Sequence, residues 1–121
     1  MSNIIQFVKG DTYKCHVIVT DTDGNDVVIP SDCKIYLTVK QNPNSDALIA
    51  LNLEKGIVLE DNKIGIKFEP EMTQNMQSGS YKYDVQLTMS TGDKYTIISN
   101  EKFILIPEIT SLKEEVQQDG D

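Results

Sequence analysis

Gly79-Ser80-Tyr81-Lys82-Tyr83-Asp84-Val85-Gln86-Leu87-Thr88-Met89 alternates apolar and polar residues without a break. Successive side chains of a β-strand point to opposite faces. Tyr81, Tyr83, Val85, Leu87 and Met89 therefore share one face, and Lys82, Asp84, Gln86 and Thr88 the other. One buried face and one wet face is what antiparallel sheets packed face to face require. Just upstream, Pro70 suits a first helical position and Gly79 a stop, so the intervening residues predict one short helical turn over 71–76.

The same period of two recurs outward along the chain. Ile35, Leu37 and Val39 alternate with Lys34, Tyr36, Thr38 and Lys40, and Ile64, Ile66 and Phe68 with Lys63, Gly65 and Lys67. Asp23-Gly24-Asn25, Glu60-Asp61-Asn62 and Thr91-Gly92-Asp93 read as hairpin loops, and Asn42-Pro43-Asn44-Ser45 breaks the chain after Lys40. Strands are expected at 4–8, 13–20, 27–29, 34–40, 47–53, 57–59, 63–68, 80–89, 94–100 and 102–106, with some of these merging or proving to be loops. Short strands at such regular spacing predict an all-β fold, an immunoglobulin-like antiparallel β-sandwich of seven to nine strands with one short helical turn. The sandwich is expected over residues 1–109, followed by an acidic, mobile tail at 110–121 in which Thr110 or Ser111 could cap a short helix.

At 121 residues one domain is expected, large enough to form a core without staples. The formal net charge of -8 argues against nucleic acid as a partner, since phosphates require clustered lysine and arginine. It argues equally against an anionic membrane surface. No apolar run approaches the ~20 residues that span a bilayer. The residues after Met1 lack the pattern of a signal peptide, so synthesis in a cytoplasm is expected.

Candidate chemistry is sparse. Asp21, Asp23, Asn25 and Asp26 crowd hard oxygen donors into one loop and form the best candidate for a calcium site. Against it, the sixth loop position is Asp26 rather than glycine and the twelfth is Asp32 rather than glutamate, so a solvated hairpin tip is the simpler account. Glu69, Glu71 and Asp84 have the chemistry of acid–base carboxylates, but no spacing in the sequence shows that two of them converge on a pocket, and solvated loop and strand charges are the simpler account. His16 has no nucleophile or zinc-ligand partner at a recognisable spacing. Cys15 and Cys33 read as small apolar side chains in a reducing compartment, and a disulfide between them stays open. No enzyme and no cofactor are expected.

Tyr81 is the sharper structural feature. A small turn, Gly79, any residue and then tyrosine is the order of a tyrosine corner, in which the hydroxyl bonds back to the preceding loop. Tyr83 stands where an antibody domain carries its second cysteine. The alternative is that both tyrosines are exposed and form a binding patch.

Phe7-Val8-Lys9-Gly10-Asp11-Thr12, Asp21-Thr22-Asp23-Gly24, Ile35-Tyr36-Leu37-Thr38-Val39-Lys40, Glu69-Pro70-Glu71-Met72-Thr73, the strand from Gly79 and a closing Phe103-Ile104-Leu105-Ile106-Pro107-Glu108-Ile109-Thr110 stand in order along the chain. Together they resemble small immunoglobulin-like structural proteins of tailed bacteriophages, above all the N-terminal domain of baseplate upper proteins and related tail or head accessory proteins. That resemblance implies a virion protein without catalytic role. It would be made in the bacterial host cytoplasm, assemble in multiple copies, and join other virion proteins in the tail or baseplate as an adaptor or connector for fibre or receptor-binding components. A capsid decoration or head-fibre protein is the alternative within this class. A carbohydrate-binding module is the alternative outside it, disfavoured by the absence of tryptophan.

Overall fold

A computed structural model describes residues 3–108. The 110–121 tail expected from the sequence lies outside the described residues. Eight strands and one short helix follow in the order β1 (Ile5–Val8), β2 (Tyr13–Ile18), β3 (Lys34–Lys40), β4 (Ala47–Leu51), β5 (Ile57–Glu60), β6 (Lys63–Phe68), α1 (Pro70–Thr73), β7 (Gly79–Thr88) and β8 (Lys94–Ile106). They form a five-stranded sheet, β1-β8-β7-β3-β4, and a three-stranded sheet, β2-β6-β5. With β2, β6 and β5 together and β3, β7 and β8 in the other sheet, the strands are partitioned as in immunoglobulin-like sandwiches. The alternating residues meet between the sheets: Ile35, Leu37, Val39, Ile64, Phe68, Val85 and Phe103 are fully buried.

One expectation needs correction, and two that the sequence left open are settled. The sandwich is not wholly antiparallel, because β1 runs parallel to β8, pairing Ile5 with Phe103 through Val8 with Ile106. Residues 27–29 form no strand; Thr20 and Asp26 make an isolated bridge, and Ile29 turns into the core while Val28 stays 71% exposed. A run of β-branched residues there carries strand propensity, but tertiary context overrides it. Finally, 94–100 and 102–106 are one strand, β8, whose pairing with β7 shifts register between Tyr83 and Gln86 while Asn100 takes a positive φ of 52°. Such an irregularity bends a strand without ending it.

The two poles of the sandwich differ. At one, Phe7 of β1 stacks on Tyr13 of β2 (ring centroids 4.6 Å apart) and meets Phe103 of β8 edge-on at 5.6 Å, while Phe68 of β6 lies 5.4 Å from Phe103. The turn after β1 is fastened to α1 at this pole: the Gly10 amide donates to the fully buried Thr73 hydroxyl at 2.8 Å, and the Lys9 ammonium donates to the Met76 carbonyl at 3.2 Å. Gly79, at φ 138°, then opens β7 with a backbone that side-chained residues rarely adopt.

Tyr81 belongs to the same pole. Its ring packs edge-on to Phe103 at 6.3 Å, and its hydroxyl donates to the Gln77 carbonyl at 2.6 Å. The bond closes the loop between α1 and β7. Tyr81→Phe removes that donor and should lower unfolding stability by about 1 kcal/mol or more with the fold retained, read by denaturant titration. Unchanged stability would mean that the bond does not hold the loop.

Candidate functional site

The residues singled out from the sequence do not gather. Asp84 lies on the outer face of the large sheet, in a depression of about 240 Å3 shared with Lys40 and Lys82. Glu69 caps α1 and pairs its carboxylate with the Lys67 ammonium at 3.2 Å. His16 is exposed on β2. Among the described residues no three His, Cys, Asp or Glu side chains are grouped so as to hold a metal ion.

In the calcium candidate, one oxygen is already spent. Asp21 Oδ1 accepts from the Asp23 and Asn25 amides, both at 2.9 Å, and the Asp21 amide donates to the Asn25 carbonyl at 2.9 Å. The loop is a self-bonded aspartate turn in which the first carboxylate organises backbone. Asp23, Asn25 and Asp26 are exposed around it. Millimolar calcium should leave the melting temperature unchanged; a calcium-dependent rise would restore the ligand role.

Tyr81 and Tyr83 are 5% and 3% exposed, which overturns the alternative of a tyrosine binding patch. The Tyr83 hydroxyl donates to the Asn3 carbonyl, fastening the chain ahead of β1 to the central strand of the large sheet. Burial pushes the Tyr83 phenol well up from its ordinary value, with the neighbouring Cys15, Glu101 and Tyr13 adding to the shift.

Both cysteines are free thiols. Burial raises Cys33, with Asp32 adding to it and a backbone hydrogen bond opposing it, and burial pushes Cys15 from 9.0 up to about 11. A thiol so raised is a poor nucleophile at neutral pH. The folded chain holds the Cys15 proton more tightly than the unfolded chain, so its contribution is complete below about pH 9 and is lost as pH rises through about 11. Thermal melts should show stability falling across that window, with a shallower fall in Cys15→Ala. A wild-type curve flat from pH 9 to 11 would contradict the buried thiol.

What the sequence did not reveal is an open pole. Opposite the aromatic end lies a groove of about 870 Å3 between β2 and its following loop on one side and the β7–β8 hairpin on the other. Val17, Val19, Ile29, Leu87, Met89, Tyr95 and Ile97 line it. Tyr95 pairs across the ladder with the inward-facing Leu87, yet remains 53% exposed because the small sheet does not extend over it. Beside it, β8 is paired to β1 only from Phe103 onward, so the Lys94 half of the strand has no β1 partner. The available signal was the apolar run Val27-Val28-Ile29, which reads as a strand in the sequence.

No helix among the described residues is long and apolar enough to cross a membrane. No protein-family model matches the chain, and no curated protein matches its sequence.

Proposed function

We propose that this chain is a non-enzymatic structural protein of a tailed-phage virion, joining other virion proteins in the tail or baseplate as an adaptor or connector. The observation that carries the interaction role is the open pole: an apolar groove of about 870 Å3 with Ile18, Val28 and Tyr95 more than half exposed at its walls. Contiguous exposed apolar surface of this kind marks contact sites on soluble proteins. The tail or baseplate assignment draws on the ordered motifs described above, and the immunoglobulin-like strand partition supports it. Repetition on a particle would let individually weak contacts act together through multivalency.

Size-exclusion chromatography with light scattering tests the assembly role. A discrete ring, trimer or larger species supports it, and a monomer at high concentration counts against it. Mass spectrometry of purified tailed particles tests the virion assignment, and a copy number in the hundreds would favour the capsid over the tail. Tyr95→Glu should change unfolding stability by no more than about 0.5 kcal/mol, since the side chain is half exposed, yet reduce incorporation into particles. Undiminished incorporation would remove the groove from the interface.

A further inference from the structure

The outer face of the small sheet gathers positive charge on a chain of formal net charge -8. Lys14 of β2 stands directly opposite Lys67 of β6, and Lys63 lies further along the same strand pair, opposite Ile18. Like charges directly opposed across a ladder destabilise a sheet. Lys67 has a counter-ion in Glu69, the only ion pair among the described residues. Glu60 faces Lys63 across the β5–β6 ladder without reaching it.

Gly65 lies at the centre of this face, in the middle of the central strand, with His16 across one ladder and Val58 across the other. It leaves a depression of about 300 Å3 rimmed by Lys14, His16, Lys63 and Lys67. A Cβ built at Gly65 would meet only the Val58 carbonyl oxygen at 3.5 Å and the Val58 Cβ at 3.9 Å, which is ordinary contact. Gly65 is also absent from the positive-φ glycines. Neither packing nor backbone conformation requires glycine here, and strand propensity disfavours it. A glycine inside a strand under these conditions marks the close approach of another backbone or ligand.

We propose that this face docks the acidic hairpin Asp21-Thr22-Asp23-Gly24-Asn25-Asp26 of a second copy of the chain. Charge complementarity selects the occupant: the hairpin places three aspartates in six residues, and neither Asp23 nor Asp26 has an ion pair among the described residues. Its self-bonded turn is ordered before contact, so docking loses little loop entropy. Over Gly65 a backbone turn can come close while its carboxylates reach the flanking lysines. The hairpin follows β2 and the docking face lies on the outer side of the same sheet, so the two partners in the contact are different surfaces of the chain. Such a contact closes reciprocally in a two-fold pair or adds copies head to tail around a ring or along a filament, depending on the rotation between copies. This contact rests on the assembly role proposed above.

Sedimentation velocity of the full chain over a concentration series tests it. Wild type should associate, and salt should weaken the association. Lys14→Glu with Lys63→Glu should weaken it at least about tenfold, as should Asp23→Lys with Asp26→Lys. An equimolar mixture of those two variant proteins should restore it, because each then offers the other an opposite charge. Gly65→Val, which fills the depression, should lose association while melting at or above the wild-type temperature. That separates a lost contact from a lost fold. If wild type associates and the variants associate equally, or if the mixture stays as dissociated as its parts, the hairpin contact is overturned and the assembly role stands. Wild type that remains monomeric throughout overturns both.

Discussion

The structure depends on an aromatic clamp that fastens the two sheets at one end. All three phenylalanines of the chain take part: Phe7 and Phe103 come from the large sheet, Phe68 from the small one, and Tyr13 and Tyr81 flank them. Edge-on and tilted ring pairs contribute beyond the area they bury. Because these rings lie near the ends of β1, β6 and β8 and the starts of β2 and β7, one cluster fixes where five strands meet. Polar bonds then close over it, from Gly10 to Thr73, Lys9 to Met76 and Tyr81 to Gln77. The packing is thus concentrated where the chain makes its tightest connections.

The other pole is left open for a related reason. A sandwich with the first strand beside β2 would have matched sheets, but here β1 lies beside β8, giving five strands against three. The aromatic Phe7 goes where its partners are, and β1 follows it. The small sheet is then too narrow to cover the hairpin end of β7 and β8, and Leu87 is buried while Tyr95, on the same inner face, is half exposed. The same choice that seals the clamp therefore creates the groove.

Period-two alternation made the inner faces of β3, β6 and β7 legible, because burial on one side imposes a pattern that no other element produces. The loop chemistry of Asp61, with φ of 53°, and Gly92, with φ of 97°, marked hairpins for the same local reason. Partner choice was not legible. Whether β1 pairs with β2 or β8 is settled by long-range ring packing, and whether Val27-Val28-Ile29 becomes a strand depends on what lies across from it. The grouping of residues on the surface suffered most from this limit. The lysines of β2 and β6 are far apart in sequence, and only the pairing of Lys14 with Lys67 brings them together. Tyr95 reads as an ordinary inward strand residue until the opposing sheet is seen to stop short.

How the molecule treats its sheet edges narrows the kind of contact it can make. Exposed edges invite uncontrolled strand pairing, and short strands, bulges and lysine are the usual deterrents. The edge strands β1 and β5 have only four residues each, β4 has five with a register shift at Val39/Lys40, and β2 carries Lys14. Backbone addition along any of them would gain few hydrogen bonds before meeting an irregularity or a charge. Any association is then left to side chains, whose geometry and charge are specific, rather than to backbone groups, which are the same in every strand. The small sheet sets Lys14 against Lys67 and leaves Gly65 at the centre of its outer face, so its open depression lies on the central strand rather than at an edge.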